Sequence, residues 1–252
     1  MLEERNKFVS LGPFCLSASI LEYAKLRDGS YPLDWAQSGY TTIKELLELD
    51  KEAFYYRNIY TPSIHFYQSR DGKNSRSDMF PLISSAETNL FGYPYFYNPH
   101  RKLGIESKEY FMRTLRRWEN STSLGLNVTF LLADYMNNPG NIFFDDAEKQ
   151  LAALSGLLSS KLACRHRIIL VRLRLDSKQA FLHCEKVDIL HKGILQMNIC
   201  YPVLYQKAQT LHDMAAAMIG IELKKYLRAS SSMKIDYVQS ICPDLKALEG
   251  NP

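Results

Sequence analysis

The chain has 252 residues, of which 46% are hydrophobic, 12% aromatic and 23% charged. This is ordinary globular usage, which excludes disorder as the main state, and the length fits one large domain or one domain with a small C-terminal extension. The balance of 31 Lys and Arg against 27 Asp and Glu gives a net charge of +4, short of the basic excess that marks a nucleic-acid binder.

The opening residues 1–7 are charged and carry no apolar core, so no signal peptide is expected. No stretch is long and apolar enough for a membrane span. The first apolar run, Phe8-Val9-Ser10-Leu11, is stopped by Gly12-Pro13 and predicts a brief buried strand followed by a tight turn. Helical spacing then runs from Cys15 to Leu26, with Arg27-Asp28-Gly29 as its stop. Ser30 to Trp35 is expected to be extended, because Pro32 disfavours helical geometry in the residue before it. Thr41 or Thr42 is placed to cap a second helix carrying Ile43, Leu46 and Leu47, and Thr42 with Glu45 has the spacing of a capping box.

Residues 55–100 mix tyrosine and phenylalanine with Gly, Pro, Asn and Ser and show no helical period. They predict irregular, partly stranded structure, with 70–78 as a solvated loop. Regularity returns with a helix over 109–118, an apolar strand over 127–133, a helix over 145–162 and a strand over 167–175. Strand, helix and strand at these lengths make a βαβ unit with parallel strands. A short strand over 198–203 and a long helix over 205–228 follow, and Ser230-Ser231-Ser232 breaks that helix. The fold class expected is α/β, or mixed α+β: a central sheet flanked by helices over residues 1–229, with 230–252 as a tail or the start of a further domain.

The five cysteines are Cys15, Cys164, Cys184, Cys200 and Cys242. They are odd in number, far apart and without a C-x-x-C pair, which argues against a disulfide scaffold, a zinc ribbon and a thioredoxin motif, and favours a reducing compartment. Cys15 differs from the others because it sits where a strand turns into a helix. A helix N-terminus carries about half a positive charge, which favours a thiolate, and its unbonded amides can hold an oxyanion during acyl transfer. Such a nucleophile needs a histidine to move protons. The alternative for Cys15 is a small buried hydrophobe. Cys164, Cys184 and Cys200 adjoin apolar runs and read as core. His183, Cys184 and His191 lie close in sequence but supply too few ligands, so neither a metal nor another cofactor is expected. Lys224, Lys225 and Arg228 suit the negative end of the last helix and leave room for a weak contact with phospholipid or another acidic partner.

The blocks Ser10-Leu11-Gly12-Pro13-Phe14-Cys15 and Ser30-Tyr31-Pro32-Leu33-Asp34-Trp35, with Ser38, resemble the start of a bacterial family of papain-like cysteine peptidases. Its members read S-L-G-x-x-C and then S-x-P-F-D-W-x-x-S. Looser likeness continues through Thr114-Leu115-Arg116-Arg117-Trp118 and the strand at 127–132, so that it spans about residues 8–175. Two departures stand out: Leu33 replaces a phenylalanine, and His100 is followed by Arg101-Lys102 where the family has Asp-Phe. A narrower likeness is to the RavD-type effector deubiquitinases, which have an early cysteine, a histidine at a spacing comparable to the 85 residues between Cys15 and His100, and a hydroxyl residue as third member. They cleave linear ubiquitin chains.

The resemblance implies Cys15 as nucleophile and His100 as general base, with His65 as the rival histidine. Asp34 or Thr114 is the candidate third member. It further implies a monomeric cysteine protease acting on ubiquitin, either cytoplasmic or delivered into a host cell. The ubiquitin tail ends in two glycines and needs a narrow slot, which Tyr95, Phe96 and Tyr97, together with Trp35, would wall. A transferase or amidase with the same dyad, or an inactive binding module of the same fold, would share these residues.

Overall fold

A computed structural model describes residues 6–12, 15–34, 40–60, 105–136, 147–203 and 209–230. Five strands form one sheet: β1 (Asn6–Ser10), β2 (Asn127–Tyr135), β3 (Arg165–Asp176), β4 (His183–His191) and β5 (Ile194–Pro202), in the order β1-β2-β3-β5-β4. The first four in that order run parallel, and β4 is antiparallel to β5 at the edge. The chain is therefore α/β, with the expected βαβ unit formed by β2, helix α5 (Ala147–Lys161) and β3.

Both faces of the sheet are covered, which explains why the central strands are nearly continuous apolar runs rather than alternating ones. All nine residues of β2 are buried. On one face, Val9, Phe130, Leu132, Ile168 and Leu170 pack beneath α2 (Tyr40–Glu48), α3 (Lys51–Phe54), α4 (Ile105–Ser121) and α5. On the other, Phe8, Leu131, Ile169, Val171 and Leu173 pack beneath α1 (Cys15–Tyr23) and α6 (Gln209–Ser230). The α1–α6 crossing is tight: a Cβ on Gly220 would stand 3.1 Å from the Ala24 nitrogen and the Ile20 oxygen. No helix among the described residues is long and apolar enough to cross a membrane.

Several expectations are corrected. Helix α1 ends at Tyr23, three residues early, and Lys25 beyond it takes a positive φ of 53°. Helix α2 starts at Tyr40, so Thr42 lies inside it, and Glu45 pairs with Arg57 at 2.8 Å. The region after Asp50, read as irregular from residue 55, holds the short helix α3, capped by the Asp50 carboxylate accepting from the Ala53 amide, and then a π-helical turn over Tyr55–Tyr60. Strand β4 was not expected. It joins β5 through Lys192-Gly193, where Gly193 has φ 74°, the positive φ that a two-residue hairpin turn requires. The expected loop at 70–78 and the tail from residue 231 lie outside the described residues.

Candidate active site

Cys15 is the first residue of α1, five positions beyond the end of β1. The turn between them is fixed to the sheet. The Leu11 amide donates to the Leu131 carbonyl at 3.0 Å, and the Ala133 amide donates to the Gly12 carbonyl at 3.2 Å. The Ser17 hydroxyl, one half-turn into α1, donates to the same Gly12 carbonyl at 2.5 Å, and the Gly12 amide donates to Ser10 Oγ at 3.3 Å. Gly12 has φ 87°, a geometry that side-chain-bearing residues enter only at a cost. Leu11 and Gly12 are buried, and Cys15 is half-buried at the helix start.

The position has a topological meaning. After β1 the chain turns to α1 on one face of the sheet, and the helix that follows β2, α5, lies on the other. In open parallel sheets the crevice outside the carboxyl ends of two such strands is where ligands bind. Cys15 stands at that crevice, at the helix end where amides lack intrahelical partners and the dipole favours negative charge.

Asp34 is held elsewhere. Its Oδ2 accepts from Arg27 Nη2 at 2.7 Å, from Arg27 Nε at 3.2 Å and from the Tyr31 amide at 2.7 Å. Arg27 also reaches Glu22, near the C-terminal end of α1. The Tyr31 hydroxyl donates to Asp28, and Asp28 pairs with Lys7 near the amino end of β1. This cluster thus occupies the amino edge of the sheet, the opposite end of α1 from Cys15, about 10 Å away along the helix axis at 1.5 Å per residue. Burial pushes the Asp34 carboxyl up to about 6, outweighing the attraction of Arg27. Its Oδ1 has no hydrogen-bond partner among the described residues. These bonds make Asp34 a clamp that shapes the 27–34 loop. Arg117 tightens the clamp by donating to the Ser30 carbonyl at 2.6 Å. A Cβ on Gly29 would stand 2.7 Å from the Arg117 guanidinium.

Thr114 is also engaged locally. It is buried in α4, and its hydroxyl donates to the Phe111 carbonyl at 2.7 Å. His100, His65, Trp35, Tyr95, Phe96 and Tyr97 lie outside the described residues. Helix α4 has its C-terminal end at the amino edge, where Ser121 Oγ meets the Tyr31 hydroxyl at 3.0 Å. His100 precedes the other end of that helix by five residues in sequence.

The remaining described cysteines are unlike Cys15. Cys164 is buried in the core, and burial pushes its thiol up to about 12. Burial also raises the thiols of Cys184 and Cys200. None of the four described cysteines forms a disulfide.

Residues 6–141, more than half of the chain, match a family described as "putative papain-like cysteine peptidase". The chain belongs to that family. The match takes in β1, the Gly12 turn, α1, the Asp34 clamp and β2, and it stops before β3, short of the residue 175 to which the likeness was expected to run. Membership supports a cysteine peptidase, and the five-stranded sheet flanked by helices is consistent with it. No curated protein and no solved structure matches the chain.

Proposed function

We propose that this peptidase hydrolyses ubiquitin chains, with linear chains as the preferred substrate. Cys15 is the nucleophile and His100 the base. The observation that carries the proposal is the placement of Cys15: the first residue of a helix, behind a turn hydrogen-bonded to β2, at the carboxyl edge of a parallel sheet.

His100 takes the thiol proton as Cys15 Sγ attacks the carbonyl carbon of the scissile bond. The carbonyl oxygen becomes an oxyanion and draws on the amides of the first turn of α1, where each such donor is typically worth about 10²–10³ in rate. When the tetrahedral species collapses, His100 gives its proton to the leaving amine and an acyl-thioester remains. Water, deprotonated by His100, then attacks the thioester and restores the thiol. Tyr95, Phe96 and Tyr97, which lead into His100 in sequence, wall the slot for the two terminal glycines. The described bonds of Asp34 and Thr114 stay within their own loop and helix, and the reading is written for a dyad.

The test is a panel of di-ubiquitins of every linkage, run beside a ubiquitin probe with a C-terminal electrophile. We expect cleavage of the linear dimer and labelling of Cys15. Labelling of Cys164 or Cys200 instead would overturn the cysteine assignment. Cleavage of another linkage would correct the substrate, and labelling by a general thiol-directed probe without any ubiquitin cleavage would favour an amidase or transferase.

A further inference from the structure

The edge of the sheet farthest from β1 carries a cluster that the peptidase reading does not use. His183 of β4 lies directly opposite Cys200 of β5 in the antiparallel register. That register shifts between Cys184 and Lys186, which makes Glu185 an extra residue in the strand. Extra residues of this kind re-aim a side chain and recur at sheet edges. One ligand atom from each of His183, Glu185 and Cys200 comes within 4.8 Å of the others. The three differ in kind: an imidazole nitrogen, a carboxylate oxygen and a sulfur.

We infer that His183, Glu185 and Cys200 form a zinc-class divalent metal site, with water as the fourth ligand. Bonds of about 2.0–2.3 Å from a tetrahedral Zn²⁺ to N, O and S place the ligand atoms roughly 3.3–3.8 Å apart, so the three need to close by only about an ångström. His183 and Glu185 are exposed and Cys200 is buried, which gives the ion an entry from solvent and a sulfur at the floor. Soft sulfur with imidazole selects zinc over calcium or magnesium.

Neighbouring charges fit the assignment. Arg174 donates to both oxygens of Glu185 and, through Nη1, to Asp176 at 3.0 Å. It already engages both carboxylate oxygens, so the ion takes a lone pair that Arg174 leaves free, and Arg174 orients the ligand, as hydrogen bonds to metal ligands commonly do. Glu185 and Asp176 together exceed Arg174 by one negative charge. Cys200 adds a second when the metal displaces its thiol proton to solvent, and the pair then balances a dication. The site ties the edge strand to its neighbour, three to four interstrand spacings from β1, roughly 14–19 Å.

The test uses the full chain with Cys15→Ala, stripped with a chelator and titrated with Co²⁺ while the near-ultraviolet thiolate-to-cobalt absorbance is recorded. We expect one equivalent to bind, Zn²⁺ to displace it and the band to survive Cys164→Ala and Cys184→Ala. His183→Gln should weaken binding at least tenfold, and Arg174→Gln by roughly 10–100-fold, the usual cost of removing a group that orients a ligand. Absence of the band in the Cys15→Ala chain, or a band of undiminished affinity in His183→Gln, would overturn the proposal. His183 is exposed, so that variant decides the matter even if Cys200→Ala does not fold.

Discussion

The two sequence blocks that resemble a peptidase end up at opposite ends of one helix. The first block, around Gly12 and Cys15, stands at the carboxyl edge of the sheet, half-buried and at a helix start. The second, around Tyr31 and Asp34, lies at the amino edge, buried and tied by Arg27 and Arg117. One block places a half-buried thiol at a helix start; the other holds a loop. The comparison teaches that a shared motif is no guide to a shared site, because a motif can mark a fixed corner of the fold as readily as a reacting group.

The largest expected effect is at the first block. Cys15→Ala should reduce turnover of linear di-ubiquitin by at least about 10³-fold, as loss of a nucleophile does, while the melting temperature stays within about 2 °C of the parent. Activity that survives this change would remove the chemical half of the comparison. Next comes the clamp. Arg27→Met leaves the Asp34 carboxylate buried without its partner and should cost about 3–5 kcal/mol of stability in denaturant titration at pH 8. Asp34→Asn should lower stability while the folded enzyme keeps its turnover number. A large drop in turnover with stability unchanged would instead make Asp34 a member of the chemistry.

The pH dependence of stability sharpens the contrast. Asp34 titrates near 6 in the fold against an ordinary 3.8, so the folded state binds more protons over that window and stability from this group falls as pH rises through it. His166 behaves oppositely. It is buried between α5 and β3, with Ser155 Oγ 3.2 Å from its Nε2, and burial pushes it down to about 4 from 6.5. The unfolded chain binds the extra proton there, so stability from His166 rises between pH 4 and 6.5. Each effect is on the order of 3 kcal/mol over its full span. Relative to the parent, Asp34→Asn should steepen the rise of stability from pH 4 to 6 and His166→Phe should flatten or reverse it, as read by chemical denaturation across that range. The smallest effect is Gly12→Ala, expected to cost about 1–2 kcal/mol for its positive φ and to slow turnover by shifting the start of α1.

Much of this was legible in the chain. The apolar run before Gly12-Pro13, the leucines of α5 and the βαβ unit follow from periodicity and turn chemistry. Strand β4 escaped because it is an edge strand, largely exposed and with charged residues among its apolar ones, so it has no clean alternation. The clamp around Asp34 escaped for another reason. Its bond to the Tyr31 amide is local, but the decisive partner, Arg27, lies across a bend that sequence spacing does not reveal. The trio at Cys200 depends on which residues two strands place opposite each other, and on a one-residue shift between them, neither of which a linear reading contains.

The pairing of β1 with β2 joins segments separated by the whole stretch from Ser10 to Asn127. By contrast, β4 and β5 meet across two residues, and β2 and β3 across one helix. Closing the longer loop costs more chain entropy before any hydrogen bond returns it, and contacts of that range form slowly. Docking of the amino-terminal strand is therefore the costliest of these closures in chain entropy. The turn before Cys15 is held by Leu131 and Ala133 of β2, so a chain cut before Asn127 carries Cys15 without the strand that fixes it.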